Sequence, residues 1–147
     1  MHFRFCVAAL VLAWAGSVVL AQTVSTPEEL DKAMKKAQRA NQAAAKAIGS
    51  SNFQEGVKQL GIVKQAINES RDFWVQHKKD DAIAANKEVV TKIEAVEKML
   101  SDAKPDGQAA VAAMKKEVGP ACRECHEKYR VRDADNNWVL KPGSIVE

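Results

Sequence analysis

The sequence predicts an all-α fold, an up-down-up-down four-helix bundle. Apolar residues recur at alternating spacings of four and three along successive stretches. Short punctuation separates those stretches, at Gly49-Ser50-Ser51-Asn52, around Lys78-Lys79, and at Lys104-Pro105-Asp106-Gly107. Aromatic residues make up 5% of the 147 and alanine is abundant, a composition that packs as helices. One repeated helical pattern in a chain of this length predicts one domain with a modest core.

Thr26-Pro27-Glu28-Glu29 reads as a capping box, with Thr26 as N-cap, Pro27 at the first helical position and Glu29 reaching back. The first helix then carries a narrow stripe of Leu30, Met34, Ala37, Asn41, Ala44 and Ile48 until Gly49 supplies a stop. Asn52 to Glu55 repeats the capping logic. Phe53, Val57, Leu60, Val63, Ile67 and Trp74 mark a second helix as far as about Lys78. Asp80 and Asp81 put negative charge at the start of a third helix, whose apolar residues are Ile83, Val89, Val90, Ile93, Val96 and Leu100. The fourth runs from about Gln108 to Arg130, with Val111, Met114, Val118, Ala121 and Cys125 along its inner side. Gly119-Pro120 interrupts it, and an interior proline predicts a kink there or two helices meeting. The tail from Val131 to Glu147, whose apolar cluster is Trp138-Val139-Leu140, is expected to fold back, with Trp138 either covering the edge of a bound group or, the preferred reading, pinning the tail to the bundle.

Cys122-Arg123-Glu124-Cys125-His126 is a C-x-x-C-H sequence, the attachment pattern for c-type haem. On a helix, Cys122 and His126 lie one turn apart on one face with Cys125 slightly to the side, so one porphyrin edge can meet all three. The cysteines would bond the vinyl groups of one covalently attached haem c, and His126 would be the proximal iron ligand. A C-x-x-C pair also serves as a redox disulfide or half of a zinc site. The first reading lacks the βαβ alternation it needs downstream of residue 21, and the second lacks another cysteine pair, with the distant His77 the one further histidine after that point.

Residues 1–21 read as a secretory signal, with Arg4 in the charged start, an apolar run from Val7 to Leu20 and small residues ending at Ala21. That run is short for a bilayer span of about 20 apolar residues, so no stable membrane anchor is expected once it is cleaved. The domain boundaries are then 1–21 for the signal, 22–132 for the four-helix domain and 133–147 for the tail. The mature chain keeps two of three cysteines, both in the motif, so no disulfide framework is available. It has 21 basic and 19 acidic side chains, a charge of +2 that gives no case for nucleic-acid binding. In an up-down-up-down arrangement Met34, Trp74, His77 and Ile83 share a level with His126, and the haem sits at that end.

The run Val118-Gly119-Pro120-Ala121-Cys122-Arg123-Glu124-Cys125-His126-Glu127-Lys128-Tyr129-Arg130, near the C-terminus, resembles the class II c-type cytochromes, cytochrome c′ and its low-spin relatives. Met34-Lys35-Lys36 matches more weakly, and the resemblance covers roughly Glu28 to Arg132. It implies export, to the periplasm or as a secreted protein, and electron transfer or gas binding. In cytochrome c′ an apolar side chain of the first helix crowds an unligated distal face; low-spin relatives place a methionine there. Met34 occupies that position, about seven residues into its helix, near the level of His126 at 1.5 Å per residue. Met114 is roughly 18 Å from His126 along its own helix, and Met99 falls at the far end of the third. His77 is a competing distal residue whose place near a helix end suits a solvated or propionate-bonding role better. Arg130, four residues past His126, borders the proximal pocket or pairs with a propionate by the same resemblance; Lys128, Arg130 and Arg132 also offset a helix macrodipole. Tyr129 is expected to pack.

The resulting expectation is a non-enzymatic monohaem electron carrier with His126 proximal and Met34 distal, docking to redox partner proteins. The alternative is a five-coordinate binder of nitric oxide or carbon monoxide. A peroxidase would need a distal acid-base group, for which only His77 is a candidate. Members of the family often form homodimers through their first two helices.

Overall fold

The Thr26 capping box forms as the sequence requires. Glu29 donates its backbone N–H to Thr26 Oγ1 at 3.2 Å, and Glu29 Oε2 accepts from the Thr26 N–H at 3.1 Å, an arrangement worth on the order of 1 kcal/mol. The computed structural model describes residues 23–145, and the expected signal at 1–21, with Cys6, lies outside the described residues. From the box onward the chain is a helical bundle: α1 (Pro27–Gly49), α2 (Phe53–Gln76), α3 (Asp80–Ser101), α4 (Gly107–Ala113), a π-helical stretch (Met114–Val118) and α5 (Gly119–Tyr129). Among the described residues no helix is long and apolar enough to cross a membrane.

The turns differ from expectation in chemistry, not in place. Gly49 is still helical, and the left-handed residue that ends α1 is Ser51 (φ 60°), with the Asn52 N–H reaching Ala47 O at 2.9 Å. Lys78 (φ 55°) repeats the arrangement after α2, where the Lys79 N–H reaches Trp74 O at 2.9 Å. Both are Schellman-type ends in which a residue with a Cβ takes the position that favours glycine.

The fourth helix does not break at Gly119-Pro120. The Gly119 N–H bonds Met114 O, five residues back, so the chain widens into π turns immediately before the proline. Pro120 follows the wide turn directly, so its missing N–H falls where the regular hydrogen-bond ladder is already displaced. The helical backbone therefore runs on into the C-x-x-C-H motif, and a π-bulge, one of the irregularities at which helices kink, stands where the sequence predicts a kink.

Packing runs α1 on α2, α2 on α3, and α3 on α4, the π turns and α5; α1 closes on α4 but hardly approaches α5. Ile48, Leu60, Ile93, Val96, Ala110 and Met114 belong to a large core cluster. A second cluster joins Val24, Leu30 and Ala33 before and on early α1, Phe73 and Trp74 of late α2, Ala82 of early α3 and Tyr129 at the end of α5. Between α2 and α3, Asn86 Nδ2 donates to Ile67 O (3.1 Å) and to Ser70 Oγ (2.9 Å), and Ser70 Oγ donates to Ile67 O (2.7 Å). This buried polar link has no counterpart in the apolar pattern of the sequence.

After α5 the chain forms a hairpin, β1 (Arg130–Arg132) with β2 (Trp138–Leu140), antiparallel with Val131 opposite Val139. The tail does fold back, but Trp138 does not pin it. Trp138 is 47% exposed, whereas Leu140 and Ile145 pack on the second cluster and the Lys141 N–H bonds Tyr129 O at 2.9 Å. Residues of the tail thus pair with the end of the helical region.

Asp81 ties α3 to α5. Tyr129 Oη donates to Asp81 Oδ1 at 2.6 Å and Lys128 Nζ pairs with Asp81 Oδ2. These bonds, Lys128 first and then Tyr129, hold the Asp81 carboxyl down at about 2. A depressed carboxyl stabilises the fold above its ordinary pKa and loses that contribution as pH falls through the folded value. Asp81→Asn is expected to unfold at lower urea than the unaltered chain at neutral pH, with the two midpoints converging between about pH 4 and pH 2. Lys78→Gly, which relieves a left-handed side chain, is expected to raise stability by about 0.5–1 kcal/mol in the same urea titration.

Candidate functional site

α5 presents Cys122, Cys125 and His126, all half-buried, at the end of the molecule closed by the second cluster. Cys122 packs against the large cluster and Cys125 against the second, so the pair straddles the boundary between them. Both are free thiols. Burial pushes the Cys122 thiol up, and burial, with Asp81 and Cys122 nearby, pushes Cys125 up to about 11. Both are protonated at neutral pH, the reverse of the lowered pKa that marks a nucleophilic redox cysteine. Among the described residues no group of three or more His, Cys, Asp or Glu side chains is arranged to hold a metal ion.

Burial, and then the charge of Arg130, push His126 down to about 4. Its imidazole is neutral at physiological pH and keeps a lone pair, the state in which histidine ligates a metal. Arg130 reaches it by a route other than the one its spacing implied. The helix ends at Tyr129, and Arg130 is extended (φ −120°, ψ 147°) as the first residue of β1. Its Nη1 nevertheless lies 3.3 Å from His126 Nδ1 and 3.2 Å from Nε2. A donor equidistant from both nitrogens would collide with Cε1 if it lay in the ring plane, so this one sits over the ring face.

Met34 is half-buried and packs against both clusters, the same two that Cys122 and Cys125 border. Asp31, one turn earlier on α1, is near enough to Arg130 to act on its charge. Early α1 therefore neighbours the start of β1. Trp74 and Ile83 belong to or pack on the second cluster as well. His77 caps the C-terminus of α2 with its ring 4.4 Å from Phe73. Met114 is buried in the large cluster and Met99 packs against it. Tyr129 packs, as expected, 4.8 Å from the Trp74 ring.

The donor set suits a c-type haem: two protonated thiols three residues apart, a neutral imidazole next to the second, apolar surroundings, and a thioether on α1, the helix that α5 hardly approaches. Asn41, on the Met34 stripe, adds a buried Oδ1 with no hydrogen-bond partner. A cleft of about 880 Å³ lies elsewhere, between the α1–α2 turn and α4, lined by Ile48, Phe53, Gly107, Val111 and Lys115. It contains none of these donors.

The hairpin was the part of the site that the sequence hid. Strands of three residues are too short for period-two alternation, and the available signal was the Asp133-Ala134-Asp135-Asn136-Asn137 turn, in which Asp133 Oδ1 accepts the Asn137 N–H at 2.7 Å and Asn136 is left-handed (φ 63°). Compared with protein-family models, curated proteins and solved structures, the chain matches none of them, so the functional reading rests on the motif and its surroundings.

Proposed function

We propose that this chain is an exported monohaem c-type cytochrome, an up-down-up-down bundle that carries electrons between redox partner proteins outside the cytoplasm. The observation that carries the reading is the trio Cys122, Cys125 and His126, half-buried on α5 with protonated thiols and a neutral imidazole. The gathering of early α1, late α2, early α3 and late α5 in one cluster supports both the topology and the site's place at that end. The C-x-x-C-H run and the segment around it resemble class II c-type cytochromes, and the hydrophobic run at 7–20 supports export.

Cys122 and Cys125 would anchor the group through thioether bonds, and His126 would give its lone pair to the iron once Arg130 left the imidazole. A bound haem would supply an iron that gains and loses one electron. Met34, which packs against both clusters, would offer its thioether as the second ligand, which would favour the reduced state and raise the potential. The apolar residues of the second cluster keep water from the site, and two retained ligands leave little to rearrange on electron transfer.

The absorption spectrum of the holoprotein tests the reading. Low-spin iron with a methionine-to-iron charge-transfer band and little response to carbon monoxide is expected. Met34→Ala should abolish that band and give high-spin iron that binds carbon monoxide. High-spin, gas-binding iron in the unaltered protein would instead make it a cytochrome c′-like binder of nitric oxide or carbon monoxide. A low-spin spectrum unchanged by Met34→Ala would remove Met34 as ligand.

A further inference from the structure

Beyond the motif, two guanidinium groups are held against one indole. Arg130 Cζ lies 4.6 Å and Arg132 Cζ 4.0 Å from the Trp138 ring centroid. The hairpin register produces this convergence: Arg132 stands opposite Trp138 and Arg130 opposite Leu140, so all four share a face while Val131 and Val139 take the other. Bringing like charges together is unfavourable. Among the described residues, neither guanidinium has a carboxylate within ion-pair distance to offset it. Trp138 stays half in water, so burial does not account for its place. An aromatic face that gathers two unneutralised arginines beside His126 is suited to a carboxylate ligand.

We propose that Arg132, held on the face of Trp138, is a second partner for the propionate carboxylates of the haem beside Arg130, whose pairing the resemblance already implies, with Trp138 a positioning residue for both. This rests on the reading that Cys122, Cys125 and His126 hold that haem. The vinyl and propionate groups of the macrocycle lie on opposite edges. Thioethers at Cys122 and Cys125 fix the vinyl edge on the turn of α5 before His126, which turns the carboxylate edge away from those cysteines. The chain past His126 supplies the two arginines. Arg130 now covers both nitrogens of the His126 ring, a position it gives up when His126 ligates iron. The Trp138 face, which it already touches, keeps it at the rim. Arg132 is braced by its bond to Asn136 O at 2.5 Å, and so is held at the turn of the hairpin.

Resonance Raman spectra of the full-length holoprotein read this directly, because the propionate bending bands respond to hydrogen bonds at the carboxylates. Arg132→Gln and Trp138→Leu are each expected to shift those bands to lower frequency, and Trp138→Phe to leave them near their original place. Unchanged bands in Arg132→Gln with haem still covalently attached would overturn the Arg132 pairing, and would direct this arginine to carboxylates on a partner protein instead. Arg132 is exposed, so that variant decides the matter even if Trp138→Leu misfolds. Mass spectrometry of the unaltered chain separates the two levels: no covalent haem would overturn the cytochrome reading and the pairing with it.

Discussion

The candidate site depends on how the end of α5 is fixed. Tyr129 is buried against Trp74 of α2 while its hydroxyl, with Lys128, holds Asp81 at the start of α3. That contact sets α5 relative to two other helices immediately after His126. Everything chemical lies within two turns of it: the thiols before, the imidazole one turn back, and the hairpin arginines after. The apolar cluster supplies adhesion, since burying a large aromatic side chain is worth on the order of 1.5–3 kcal/mol, and the Asp81 bonds supply direction.

The π turns set the rotation of the motif. A single wide turn adds one residue to a helix and swings everything after it by on the order of 100° relative to a continuous α-helix. Here it lies between Met114, buried in the large core, and the motif. Ala121 and Tyr129 end up buried, and Cys122 and Cys125 half-buried on either side of the cluster boundary. Pro120 makes that wide turn compatible with an unbroken fourth helix, so a residue that reads as an interruption acts as a means of aiming the cysteines.

Much of this was legible where the signal is local. The Thr26 box, the Asn52 cap, the helix extents and the motif itself depend on residues within a few positions of one another, and the structure has them where the sequence puts them. What the pattern missed needed backbone geometry or side-chain partners that apolar spacing does not record. Ser51 and Lys78 accept left-handed backbone because the helix-ending hydrogen bonds of Asn52 and Lys79 hold it there. Asn86 is buried because Ser70 and Ile67 O await it across an interhelical contact. Arg130 leaves the helix but still meets His126, since the strand that follows turns back over the same end.

The proposed function stands or falls on a covalent bond between this chain and a haem. Intact-mass spectrometry of the protein purified from a host that matures c-type cytochromes, with its pyridine haemochrome spectrum, measures it. One haem per chain, attached through both thioethers and lost when Cys122 and Cys125 are both replaced by alanine, is the predicted result. A chain at its unmodified mass, with no haemochrome and with both thiols still titratable, would contradict the central claim and leave a helical bundle whose half-buried cysteines serve some other chemistry.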